Sequence, residues 1–272
     1  MASAESQRDR PTRSDVPFFV ALSILGGTYI LLIVAMLAAD ASFTSPGHLW
    51  QALASENIQY SIKLSLLSCS ITTILSLWVA VPLGYLLSRW QFPGKLLIDA
   101  ILDIPIVLPP LVVGLSLLIL FQTPPGKAIE RLVPVTYAIP SVILAQFAVA
   151  CAFAVRTMRV SFDQIPPRRE QVALTLGCSR SQAFWWVVLP EARRGIVTAA
   201  TLAWARALGE FGPILVFSGA TRMRTEVLTT TVFLELSVGN LQAAVAVSLL
   251  MVVAALIVLV IVRVYGMERP SV

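Results

Sequence analysis

The 272 residues are 57% hydrophobic and only 13% charged, with 20 Lys and Arg against 15 Asp and Glu. A soluble domain carries about 25% charged residues, so this composition excludes a water-soluble globule and indicates a membrane chain. The net charge of +5 reads as the Lys/Arg excess that orients membrane helices, not as a nucleic-acid surface.

Six apolar spans follow one another, at 18–39, 61–87, 97–121, 139–155, 195–217 and 241–264. Each is long enough to cross a hydrocarbon core of ~30 Å. The runs are continuous rather than alternating, which predicts helices and not a barrel. The expected fold is therefore an all-α integral membrane protein of six transmembrane helices. A cytoplasmic tail at 1–17, a transmembrane domain at 18–265 and a cytoplasmic tail at 266–272 are expected.

The first span resembles a signal peptide in having basic residues before it and Ala39-Asp40-Ala41 after it. Its apolar run exceeds the ~7–15 residues of a signal core, so an uncleaved anchor is expected. The third span contains Pro105, Pro109 and Pro110. Proline removes a backbone donor and clashes with the preceding turn, so this helix is expected to kink or break. A broken span either lines a wet pathway or is a packing kink; the sequence leaves both open. Asp99 and Asp103, one turn apart near its start, read as an acidic first turn stabilised by the helix dipole, ahead of an ion site.

The fifth span carries Arg206 and Glu210, four residues apart on one helical face near mid-membrane. They either neutralise each other or serve a pathway or dimer seam. Gly209, Gly212 and Pro213 around them permit close helix approach and a bend. Cys69, Cys151 and Cys178 show no CxxC spacing and are expected as free thiols in helices. His48 is the only histidine, which argues against a zinc site.

Most of the Lys and Arg fall on one side of these spans: Arg8, Arg10, Arg13, Arg89, Lys95, Arg156, Arg159, Arg168, Arg169, Arg180, Arg193, Arg194, Arg263 and Arg269. The other side has only Lys127, Arg131, Arg222 and Arg224. The positive-inside rule then places both termini in the cytoplasm, together with the loop between the fourth and fifth spans, at about 159–193. That loop holds PPRREQVALTLGCSRSQAFWWVVLP at 166–190, basic, helix-prone and bounded by prolines. It cannot sit in lipid, so it must be an ordered cytoplasmic element. It either docks a second protein or rests on lipid headgroups, as Trp185 and Trp186 would allow.

The 166–190 segment resembles the "EAA" loop of bacterial ABC importer permeases, through Glu170, Ala173, Gly177, Leu189 and Pro190. Gln171 and Val172 depart from the double alanine of that pattern. PLGYLLSRWQFPGK, LPPLVVGLSLLILF and ARALGEFGPILVFSGATRMRTE extend the resemblance over about 60–264, toward the molybdate, tungstate and sulfate permeases.

The resemblance implies a non-catalytic subunit in a bacterial inner membrane, paired with a second copy of itself. It implies two cytoplasmic ATPases that dock on Glu170, Ala173, Gly177, Leu189 and Pro190, and an extracytoplasmic oxyanion-binding protein. Molybdate or tungstate is the expected cargo, with sulfate or thiosulfate as the alternative within the family. Pro109, Pro110, Gly209, Glu210 and Gly212 are the expected pathway or dimer seam, and Arg206 with Glu210 a structural ion pair.

The residues agree with these implications. No GxxxxGK[ST] loop is present, so ATP and Mg would be used by the partner, and no cofactor is expected on this chain. No paired-His, HExxH or Ser/His/Asp constellation supports an enzyme. A self-sufficient, ion-coupled secondary transporter would show inverted repeats and buried acids; no convincing repeat is visible, and the acids are few.

Overall fold

The computed structural model describes residues 16–266, all of whose regular structure is helical. The predicted tails lie almost wholly outside these residues, as do Arg8, Arg10, Arg13 and Arg269. Two compact units are present, 1–45 and 46–272. In the first, α1 (Val16–Phe43) is one unbroken helix that buries none of its side chains and runs straight through Ala39-Asp40-Ala41.

The second unit contains α2 (Pro46–Ala54), α3 (Glu56–Arg89), α4 (Lys95–Val107), α5 (Pro110–Gln122), α6 (Pro124–Leu132) and α7 (Ile139–Asp163). There follow α8 (Pro167–Thr175), α9 (Arg180–Ala183), a π turn (Phe184–Val188) and α10 (Leu189–Glu191). The chain continues through α11 (Arg193–Leu208), α12 (Gly212–Phe217), α13 (Leu228–Ser237) and α14 (Leu241–Gly266).

Four helices, α1, α3, α7 and α14, are long and apolar enough to cross a membrane; α4 and α5 are long and apolar enough together, but are bent at the break between them. The predicted fifth span of the sequence is two pieces, α11 and α12, each too short alone. Helix α7 continues to Asp163, two turns past the predicted end, because the charges of Arg156 and Arg159 end the apolar run without ending the backbone hydrogen bonding.

The frame is the pairing of α3 with α7. Lipid offers little hydrophobic drive between helices, so association relies on close packing of small residues and on interhelical hydrogen bonds. Along α3 the buried side chains recur at helical spacing as Ser61, Ser65, Ser68, Thr72, Ser76, Ala80 and Gly84. Thr72 donates to Gln146 of α7 at 3.2 Å, and Gln146 donates to Cys69 Sγ at 3.7 Å. At Gly84 the helices nearly touch: a Cβ there would lie 2.8 Å from Met158 Cβ and 2.9 Å from the Arg159 backbone nitrogen. Helix α11 joins this pair through Ala199, Ala203 and Ala207, four residues apart and all buried.

Helix α4 is fixed to α7 by two ion pairs, Arg159–Asp99 at 2.6 Å and Arg156–Asp103 at 2.7 Å. The two aspartates are thus interhelical ion-pair partners. Cys69 and Cys151 lie in helices as expected, but Cys178 lies in the turn after α8; all three are free.

Replacing Gly84 with Leu forces bulk against backbone that cannot yield, and overpacking of this kind costs about 1–3 kcal/mol or more. We expect Gly84→Leu to lower the thermal unfolding temperature in detergent. Gly26→Leu in α1, where a Cβ meets nothing within 4 Å, is the control and should leave it unchanged. Equal stability of the two variants would refute the packing role of Gly84.

Candidate functional site

The loop between α7 and α11 is built from strong local signals. Pro166 and Pro167 start α8, where a missing N–H costs nothing. Gly177 ends it with φ of +91°, and the bonds Gly177 N→Leu174 O and Cys178 N→Ala173 O close a Schellman turn. Ser179 and Gln182 then form a reciprocal capping box that starts α9. Proline at 190 cannot donate, and the helix before it widens to a π turn in which Leu189 N donates to Phe184 O.

Glu170 points inward. Its carboxylate accepts a hydrogen bond from Tyr85 Oη at 2.6 Å and pairs with Arg89 Nε at 3.4 Å, both from the end of α3. Arg89 also donates to the Ile165 carbonyl at 2.9 Å. The Tyr85 ring packs against Phe162 of α7 and Phe184 of the π turn, with centroids 5.7 and 4.7 Å away. Ala173 is buried beneath α8, while Val172 and Leu176 are 49% and 80% exposed. Gly177 is exposed with open space around it, so within this chain it serves the turn and not helix packing. Leu189 is half-buried and Pro190 exposed at α10, which is tied back to α8 by the Arg169–Glu191 ion pair.

The predicted pathway residues are brought together in part. Leu108 and Pro109 are both extended, because a residue before proline is driven out of the helical region. The result is a bend of 111° between α4 and α5. Helix α5 then packs on α12: a Cβ at Gly212 would meet Pro110 Cβ at 2.8 Å, and one at Gly114 would meet Pro213 Cα at 2.7 Å. The two helix breaks, α4–α5 and α11–α12, therefore contact each other through their prolines and glycines.

At the second break Glu210 is 1% exposed and pairs with Arg206 at 2.5 Å, while Arg206 keeps 31% exposure and lies 5.7 Å from the centroid of the Phe153 ring. The freed Glu210 carbonyl accepts from Thr229 Oγ1 of α13 at 2.9 Å. Opposite the buried alanines, α11 exposes Arg194, Thr198 and Leu202.

After α12, the GATRMRTE segment folds around buried groups. Met223 has φ of +58°, Arg222 Nη2 donates to Glu235 Oε1 at 2.9 Å, and Tyr60 Oη donates to the Arg224 carbonyl at 3.0 Å. Glu226 in this loop is fully buried; burial raises its carboxyl above the usual carboxylate range, against the pull of the Thr231 hydroxyl and the Arg222 charge.

Sequence reasoning missed Tyr85, whose hydroxyl and ring join α3, α7 and α8. Its position four residues before Arg89 at the end of a span was the available signal. It also missed α13, whose LTTTVFLELS is too short and hydroxyl-rich to read as a span.

Residues 80–266 match the family described as binding-protein-dependent transport system inner membrane component. The chain is 30% identical over 233 residues to the sulfate transport system permease protein CysT of Escherichia coli, covering 85% of this chain and 84% of that one. It is 32% identical over 252 residues to the molybdenum transport system permease protein ModB of Mycobacterium tuberculosis, covering 90% and 94%. In fold it is similar to a bacterial ABC transporter involved in import of the polysaccharide alginate, with a TM-score of 0.72 at 17% identity, covering 93% of this chain and 97% of that one.

Removing the Glu210 charge leaves Arg206 without its partner at the break between α11 and α12. Because Arg206 retains some exposure, Glu210→Gln should cost roughly 2 kcal/mol, below the ~3–5 kcal/mol of a fully buried pair. Replacing both Arg206 and Glu210 with Gln should recover part of that loss in detergent thermal unfolding. A double variant that assembles well yet transports nothing would move Arg206 from structure to the pathway.

Proposed function

The chain belongs to the binding-protein-dependent transport system inner membrane component family of ABC importers, and we propose that it is the translocation subunit for a tetrahedral oxyanion, molybdate or tungstate. The observation that carries this reading is α8, held to α3 by its one acid, Glu170, while Val172 and Leu176 face outward. A short helix anchored from beneath, with Val172 and Leu176 exposed among the rim charges of Arg168 and Arg169, is suited to a groove on a partner ATPase. Two such ATPases, a second permease copy and an extracytoplasmic binding protein complete the assembly. The chain itself carries out no chemistry; ATP and Mg are used by the partner.

A dianion cannot cross ~30 Å of hydrocarbon without a hydrated, protein-lined cavity. The contact of the broken α4–α5 span with α12 is the natural lining on a two-fold axis between copies. Under this reading α11 and α12 together form the remaining span, six in all. Both termini and α8 are cytoplasmic, since Arg89, Arg156, Arg159, Arg169 and Arg194 cluster at one end.

The sulfate reading is favoured by the relative in E. coli, whose name is that of a sulfate permease. Competition separates the two. In cells expressing the whole transporter, molybdate and tungstate should each suppress labelled molybdate uptake, and sulfate in hundredfold excess should not. Sulfate acting as strongly as molybdate would assign the chain to sulfate.

Docking is tested at Leu176, whose side chain touches the solvent and not the bundle. Leu176→Asp should reduce transport at least tenfold while the complex of permease chains still inserts and purifies. Wild-type transport by this variant would remove α8 as the docking element.

Orientation is tested in a chain with Cys69, Cys151 and Cys178 replaced by serine. A cysteine at Gln122 should react with an impermeant thiol reagent in intact cells, and one at Ser181 only after the membrane is opened. The reverse order would overturn the topology.

A further inference from the structure

A cleft of about 530 Å³ lies between the end of α7 and the start of α11, below the loop that carries α8. Its size falls within the ~300–1,000 Å³ range of small-molecule sites. The two helices meet at Gly195, where a Cβ would collide with Ser161. Arg156 stands on one wall and Arg194 on the other; Thr157, Ser161, Gln164 and Thr198 lie between them.

We propose that this cleft binds a tetrahedral oxyanion group. The inference goes beyond the transport function and does not depend on which anion is carried. Its basis is the donor set. A guanidinium has five N–H groups in a planar fork matched to oxyanions. Asp103 engages Arg156 through Nη2 at 2.7 Å, and the side chain remains 63% exposed, so donors are left for a second acceptor. The Thr157, Ser161 and Thr198 hydroxyls now donate to the Phe153, Thr157 and Arg194 carbonyls, at 2.8, 2.8 and 2.9 Å, and each can swing toward a ligand. The Gln164 amide adds two further donors.

The one acid of the lining, Glu191, pairs with Arg169 of α8. A cation is therefore poorly served in the cleft, while an anion with several oxygens meets donors on both walls. Two sources offer this chemistry: a free oxyanion in the surrounding water, or the headgroup phosphate of an anionic lipid, which basic pockets between helix ends attract. Because Glu191 links the cleft to α8 through Arg169, an occupant would bear on the docking loop.

The test uses the purified complex of permease and ATPase without binding protein, and equilibrium dialysis with labelled sulfate, molybdate and inorganic phosphate. Saturable binding of one anion per permease chain is expected. Thr198→Glu, which puts a carboxylate in the cleft without breaking an ion pair, should weaken it at least tenfold, and Thr198→Ser should preserve it. Gln164→Glu provides the same reading if Thr198→Glu does not assemble. In nanodiscs of phosphatidylcholine, free-anion binding that persists identifies a soluble occupant. Retention of phosphatidylglycerol through purification, lost in Thr198→Glu, identifies a headgroup. Absence of both, or binding indifferent to these variants in an assembled complex, overturns the proposal. Since binding is read without transport, failure of the import assays would leave this result interpretable by itself.

Discussion

The structure depends on how closely two helices can approach in a solvent that gives them no hydrophobic reason to do so. Helices α3 and α7 solve this with a stripe of serine, threonine, alanine and glycine that lets backbones meet and supplies a few interhelical hydrogen bonds. At Gly84 the two backbones come so close that a Cβ would not fit. The next residue is Tyr85, and the approach at Gly84 is what brings its ring onto Phe162 and its hydroxyl onto Glu170. Larger side chains at Ala80 or Gly84 would push α3 outward and carry Arg89 and Tyr85 out of reach of the loop they hold.

The broken spans obey a second constraint. A helix interrupted inside a membrane frees backbone groups that must find partners within the protein. At Glu210 the free carbonyl is taken by the Thr229 hydroxyl, and α12 restarts at Gly212-Pro213, where a proline is tolerated. At Leu108-Pro109-Pro110 the prolines have no N–H to satisfy. The two breaks then pack on each other through Gly114, Gly212, Pro110 and Pro213, which have little side chain to keep them apart. One break supports the other, so neither needs lipid to solvate it.

The four unbroken spans were legible in the sequence because hydropathy acts over some twenty residues and is insensitive to single positions. The break at Pro109-Pro110 was legible because proline acts locally. The limits of α7 were not, since Arg156 and Arg159 are stabilised by Asp99 and Asp103, residues far away in sequence. For the same reason the aspartates read as a dipole effect or an ion site when considered alone. The resemblance places Glu170 among the docking residues of the loop; its inward turn depends on Tyr85 and Arg89, some eighty residues earlier. Helix α13 escaped because Thr229, Thr230 and Thr231 look polar in sequence, although Thr230 and Thr231 are buried and hydrogen-bonded.

The inward turn of Glu170 bears on how a partner's motion would reach the membrane. An acid on the outer face of α8 would have to lose its water when a partner docked, a cost that a charge-paired interface repays only with good geometry. Here that acid is already neutralised beneath the helix, so a partner meets Val172 and Leu176 among the exposed Arg168 and Arg169 and strips no carboxylate of its water. The same contact makes α8 rigid with respect to the bundle. A displacement of α8 acts on Tyr85 and Arg89 of α3, and through the Phe162 and Phe184 rings on α7 and the π turn. In the proposed role, α3, α7 and α11 therefore move as one body. The give is left to the proline and glycine breaks before α5 and α12, where no backbone hydrogen-bond ladder resists it.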